Sequence, residues 1–96
     1  RNTYLSNLQK ELATHIFNSL QAGRNLLLKG ERNTSIIKDT IYKNLKNAGL
    51  NIDYISIADE QTLIEVNQTI NTDILVSIAV YLGKTRLIDN FSFKIN

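Results

Sequence analysis

The apolar residues of this chain change their spacing once, at Gly49, and that change restricts the folds open to it. Before Gly49 they recur every three or four positions; after it they come in short β-branched runs. Leu8, Leu12, Ile16, Phe17 and Leu20 make one helical stripe, and Ile37, Ile41, Leu45 and Ala48 make a second. The first helix is predicted over residues 6–22, with Ser6 and Gln9 as a capping box and Gly23 as terminator. Residues 24–33 read as a connection that could be a short strand, a helical turn or a loop. The second helix is predicted over 35–48, capped by Thr34 or Ser35 and closed by Gly49, with Lys38, Lys43 and Lys46 mostly on its wet side.

Beyond Gly49, strands are predicted over 52–58, 74–82 and 87–95. The last two are joined through Gly83 as neighbouring antiparallel strands. Asp59-Glu60 ends the first strand, and residues 61–71 read as a turn with irregular chain. Helices followed by strands, without βαβ alternation, imply an α+β fold: two main helices packed on a small three-stranded antiparallel sheet.

A chain of 96 residues has room for one core, so residues 1–96 are expected to be a single domain. Eleven Lys and Arg against nine Asp and Glu leave a net charge of +2, with the basic residues scattered. That pattern gives no basic footprint for nucleic acid. Without cysteine there are no disulfides or thiolate metal sites, and the lone His15 cannot build a histidine metal site. The longest apolar run, Ile74–Leu82, is about half a membrane span or less. No signal peptide is visible, so a cytoplasmic protein is expected, with no membrane partner. The chain opens on Arg1 and has no methionine, which leads to the expectation of a fragment or processed product.

Few residues suggest chemistry. His15, four residues after Glu11, has no nucleophile beside it to activate and reads as a solvent-facing helical histidine. Asp59 and Glu60 read as turn-capping carboxylates more readily than as an acid–base pair. Gly83-Lys84-Thr85 lies between strands and lacks the glycine-rich span of a phosphate loop. Arg86, Asp89 and Asn90 form a polar cluster, TRLIDN, in an apolar stretch. Arg86 could pair with Asp89, or Asp89 could hold turn amides; both roles are structural, while phosphate binding by Arg86 stays open. Leu87 and Ile88 are expected to face the core, and on that basis Asp89→Ala should cost about 1–3 kcal/mol. The residues alone describe an α+β module with no self-contained active site.

Three stretches in order, RNTYLS at the start, DYISIADEQTL in the middle and GKTRLIDNFSF at the end, resemble the pantothenate synthetase (pantoate–β-alanine ligase) family. They look like that family's carboxy-terminal domain, and TRLIDN is the most specific piece. The resemblance implies a ligase that joins D-pantoate to β-alanine with ATP, through a pantoyl-adenylate. ATP and Mg2+ would be bound mainly by a nucleotide-binding domain that these 96 residues do not include. Arg1 matches the arginine ending the family's KMSKS-like loop and would contact ATP phosphates. Arg86, Asp89 and Asn90 would be structural or lid-contacting residues. No catalytic residue is expected in this fragment, which alone should be inactive; the full enzyme could be a homodimer. Two other classes stay open: a small protein-interaction module, and a single-strand RNA binder using Tyr54, Tyr81, Phe91 and Phe93.

Overall fold

The computed structural model describes residues 3–95, with side chains described from Asn7 onward. Two helices, α1 (Thr3–Leu28) and α2 (Thr34–Asn47), precede strands β1 (Asn51–Asp59), β2 (Ile74–Leu82) and β3 (Thr85–Phe93). The strands form one antiparallel sheet in the order β1-β2-β3, with α2 packed on β1 and α1 on β3. This is the α+β arrangement the change of spacing predicts.

β2 lies in the middle, and its alternate residues Ile74, Val76, Ile78 and Val80 are fully buried on the helix-covered face. Ile57 and Phe93 flank them by register, and Leu12, Ile16, Leu20, Leu27, Ile37, Ile41 and Leu45 descend from the helices. The β2–β3 hairpin closes through Gly83-Lys84, with Leu82 facing Thr85. Gly83 has φ +61° while Lys84 keeps an ordinary negative φ, the φ pattern of a type II′ turn.

The first helix differs from expectation at both ends. Its first turn begins at Thr3, so Ser6 falls inside the helix and not at its cap; the Ser6 side chain lies outside the described residues. Nor does α1 stop at Gly23. It runs on through Arg24–Leu28, and Gly30 (φ +102°) closes it in a Schellman motif. There the Gly30 amide donates to the Leu27 carbonyl and the Glu31 amide to the Leu26 carbonyl. Gly23 is buried mid-helix because α2 passes close by: a Cβ there would lie 2.8 Å from Ile41 Cδ1 and 2.9 Å from Ile41 Cγ1. Phe17, expected in the stripe, is 61% exposed, while Leu12, Ile16 and Leu20 are buried.

α2 starts one residue earlier than expected. Asn33 is its cap, accepting the Ser35 amide at 2.9 Å. Gly49 (φ +80°) ends it as predicted, with Leu50 donating back to the Leu45 carbonyl and both leucines buried.

The stretch between β1 and β2 has little regular structure of its own but is tied down. The Val66 amide donates to the Ile57 carbonyl, extending the β1 edge. Thr34 donates to the Gln68 carbonyl and Ile70 to the Arg32 carbonyl, and Ile70 itself is buried. Leu63 sits at φ +61°, its amide bonded to the Asp59 carbonyl at 2.8 Å.

The close approach at Gly23 is testable. Alanine gains up to about 1 kcal/mol of helix propensity there. Overpacking against the buried Ile41 costs about 1–3 kcal/mol. Gly23→Ala should therefore lower the urea midpoint and Gly23→Val should lower it further. Combining Gly23→Ala with Ile41→Val should lose less than the sum of the two single changes. A rise in midpoint for Gly23→Ala would refute the close-contact account.

Candidate functional site

The sheet face opposite the helices carries the polar cluster of the last strand. By register this face presents Asn51, Tyr54, Ser56 and Ala58 from β1, and Leu75, Ser77, Ala79 and Tyr81 from β2. β3 adds Arg86, Ile88, Asn90 and Ser92. At one end β1 bulges between Ile52 and Tyr54, and the bulge turns Asp53 toward Arg86. Arg86 Nη2 and Nε both donate to Asp53 Oδ2, at 2.9 and 3.3 Å. Its guanidinium also lies over the Tyr81 ring, 5.8 Å from the centroid. The hydrogen bond to Asp53 raises the Arg86 pKa above its already high value, so the group stays cationic throughout the working range of the protein.

Arg86 thus pairs with a residue on another strand, and not with Asp89. Asp89 lies on the opposite face, where its Oδ1 accepts only the adjacent Asn90 amide, at 2.8 Å. It borders a groove of about 220 Å³ between α1 and β3, beside Phe17, Gln21 and Arg24. It holds no turn amides. Leu87 packs against the core, but Ile88 is half exposed on the other face, because successive strand residues point opposite ways. Arg1 lies outside the described residues. His15 is partly exposed, 3.8 Å from Glu11.

The four aromatics weighed for RNA stacking divide between the two faces. Tyr54 and Tyr81 are exposed on the open one, whereas Phe91 and Phe93 point toward the helices, beneath Arg24 and Arg32 respectively. A continuous stacking platform of the four does not form.

Asp59 caps the turn after β1 as expected: its Oδ1 accepts the Gln61 and Thr62 amides, both at 2.9 Å. The Thr62 amide, the Thr72 hydroxyl and the Gln61 amide hold its pKa below the usual aspartate value. One residue that sequence reasoning passed over is Glu65. It accepts from Ser56 Oγ at 2.6 Å, the Ile57 amide at 2.9 Å and Lys38 Nζ at 2.8 Å. No local pattern announces it, since its partners lie 9, 8 and 27 positions away.

This sequence and fold have relatives. The family model described as pantoate-beta-alanine ligase matches residues 1–92. The chain belongs to the pantoate–β-alanine ligase family. The pantothenate synthetase of Clostridium novyi (strain NT) is 48% identical over 96 residues, and that of Clostridium botulinum (strain Langeland) 47%. Each match covers 99% of this chain and 34% of the relative, so the chain spans about a third of the length of the curated relatives it matches. The crystal structure of pantothenate synthetase from Thermus thermophilus superposes with a TM-score of 0.77 over 95% of this chain and 33% of that one. At 24% identity that match speaks for the fold.

A ligase of this family raises the question of where a nucleotide and its Mg2+ would sit. The hollow at the end of the sheet fits neither. The acidic depression of about 490 Å³ at the sheet end is lined by Asp59, Glu60 and Asp73, whose charges oppose phosphate. All three carboxylates are engaged: Asp59 by backbone amides, Glu60 by Ser92 and Lys94, Asp73 by the Ile95 amide and Lys94. Among the described residues no group of three potential ligands is placed to hold a metal ion.

Glu65 gives a pH signature. Partial burial alone raises its pKa, but the bonds from Lys38, Ser56 and the Ile57 amide outweigh that and hold it below the ordinary 4.5. A depressed folded-state pKa means the stabilisation is complete above the unfolded value and is lost as pH falls through the folded one. Glu65→Gln should therefore lower the melting temperature at pH 7, by about 1 kcal/mol of stability. The gap to the parent protein should close below pH 4.5. A gap independent of pH would show that the charge is not what Lys38 and the amide recognise. Asp89→Ala, by contrast, should change stability by no more than about 0.5 kcal/mol, as at ordinary surface positions.

Proposed function

We propose that this chain is the carboxy-terminal domain of a cytoplasmic pantothenate synthetase, and that it serves as a lid over the active site of that enzyme. The observation that carries the reading is the family match over residues 1–92 in a segment one-third the length of its relatives. The intact enzyme would condense D-pantoate with β-alanine. The pantoate carboxylate attacks the α-phosphorus of ATP, the bond to pyrophosphate breaks, and a pantoyl-adenylate forms. The β-alanine amine then attacks the acyl carbon and AMP departs, leaving pantothenate.

An acyl-adenylate is prone to hydrolysis, so an enzyme that makes one gains from excluding water while it waits for the amine. A compact domain joined to the rest near Arg1 can do this by closing. α1 suits such a joint: at 26 residues it spans about 39 Å. Among the described residues its first buried side chain is Leu12, while Asn7, Gln9 and Lys10 are exposed, so this part of the helix stands clear of the core. Arg1, by the family's pattern, would bring positive charge to the ATP phosphates as pyrophosphate leaves. Most nucleotide contacts, and any Mg2+ site, would belong to the remainder of the protein, which could itself assemble as a homodimer.

Two measurements test this reading. In the intact ligase, Arg1→Ala should lower kcat by about 10²–10³-fold, the usual cost of removing one preorganised charge-stabilising group. Its melting temperature should not move. The 96-residue chain alone should form no pantothenate. In calorimetric titration it should bind ATP no more tightly than about 100 μM. Tighter binding would place a nucleotide pocket inside this domain and overturn the lid role.

A further inference from the structure

An open sheet has two edges, and each presents backbone groups that another strand could take up. The edge of β1 is blunted in two ways. It bulges between Ile52 and Tyr54, and near its end the connection to β2 lies against it. There Val66 donates to the Ile57 carbonyl and Glu65 accepts the Ile57 amide. β3 has neither device. Its 9 residues pair with β2 without a register shift, and among the described residues no strand lies on its other side. The pairing of Leu82 with Thr85 across a two-residue turn decides which of its groups are taken. Thr85, Leu87, Asp89, Phe91 and Phe93 bond inward to β2. The amides and carbonyls of Arg86, Ile88, Asn90 and Ser92 therefore point outward, away from the sheet.

This edge has what a strand needs in order to add. Ile88, Phe91 and Phe93 are strand-forming types, no proline interrupts the run, and the groove beside it exposes Phe17 next to Leu20 and Phe91. A second copy of the chain presents the same edge, and antiparallel strands can pair with themselves about a two-fold axis. One side chain stands in the way, at the centre. Asp89 is exposed, and its Oδ1 holds the outward Asn90 amide at 2.8 Å. Every two-fold pairing centred on Ile88, Asp89 or Asn90 needs that amide to reach across to the partner strand. Each such pairing also brings the two Asp89 carboxylates onto one face, directly opposite or diagonal, about 5–8 Å apart, where like charges repel.

We propose that Asp89 guards the β3 edge: it occupies the Asn90 amide and sets a negative charge on the outer rim, and so keeps this edge from pairing with the β3 edge of a second copy. That role accounts for a carboxylate that ties down no turn and bonds to no other strand. Such a residue adds little to the stability of its own fold. Its effect lies in the complex it prevents, which is how edge strands are commonly kept apart. Strand geometry carries this role, independently of any part the domain plays as a lid.

The test is sedimentation velocity of the intact ligase, parent against Asp89→Ala, over about 1–100 μM, the range of weak self-association. Asp89→Ala should form a species of twice the parent's mass and associate at least about tenfold more tightly than the parent, the scale of relieving a like-charge contact. Its melting temperature should stay where it is. Adding Asn90→Pro to Asp89→Ala removes the amide that the first change frees. Proline is accepted where the amide of an edge strand faces outward, so the double variant should return to the parent's mass. Should circular dichroism show that variant unfolded, Asp89→Ala with Ile88→Pro removes the neighbouring outward amide and carries the same expectation. No added association in Asp89→Ala would overturn the proposal. Association that survives the proline would place the contact elsewhere and overturn it as well. Association that comes with a lowered melting temperature would trace it to unfolding, with the same result. None of these outcomes touches the lid role.

Discussion

Four side chains on one strand determine what the rest of the chain can do. Ile74, Val76, Ile78 and Val80 are completely dry, and dry side chains on a central strand require a cover on that face. With β1 and β3 already on either side, the cover has to come from α1 and α2. The cost is that the helices are used up on one side, and the opposite face is left with whatever the odd-numbered residues of β2 supply. Those are Leu75, Ser77, Ala79 and Tyr81, none of them charged and only Leu75 strongly apolar. The asymmetry between a sealed face and a lightly dressed one thus follows from where the hydrophobic alternation of β2 was placed.

How much of this is legible in the sequence depends on the range of the interaction involved. The two helices, three strands and β2–β3 hairpin come from local periodicity and from Gly49 and Gly83, so they can be read directly. Gly23 misleads because two physical roles produce the same residue. A glycine after an apolar stripe looks like a helix terminator, yet here it makes room for Ile41 from a helix that has not begun when Gly23 is read. The true terminator, Gly30, has its own local signal in Lys29-Gly30 after three leucines. Only the nearer glycine conceals it. Phe17 is similar: it sits at helical spacing from Ala13 and Leu20, but the stripe needs only Leu12, Ile16 and Leu20, and Phe17 falls at the margin.

The polar cluster fails in the same manner. Within TRLIDN the nearest opposite charge to Arg86 is Asp89, and local reasoning pairs them. Strand alternation forbids it, since positions three apart lie on opposite faces. The actual partner, Asp53, is 33 residues away and is aimed by a bulge that no local pattern announces. Glu65 is the equivalent case in the loop. Both are long-range ion pairs: the first is set by sheet register, which becomes visible only when three strands are laid side by side, and the second by the packing of the connection against α2.

The same long-range bonds bear on how the domain could move. Residues 60–73 would ordinarily be the soft part of such a fold, a long connection with little regular structure. Here Glu65 links that connection to α2 through Lys38 and to β1 through Ser56 and the Ile57 amide. Thr34 and Ile70 bind it again to the segment between the helices, and the buried Ile70 seals it against the core. Helices, connection and sheet are therefore coupled on both sides, and bending any one of them breaks bonds to the other two. A domain built this way resists internal flexing. Only the part of α1 ahead of Leu12, where Asn7, Gln9 and Lys10 lie in solvent, takes no part in that coupling.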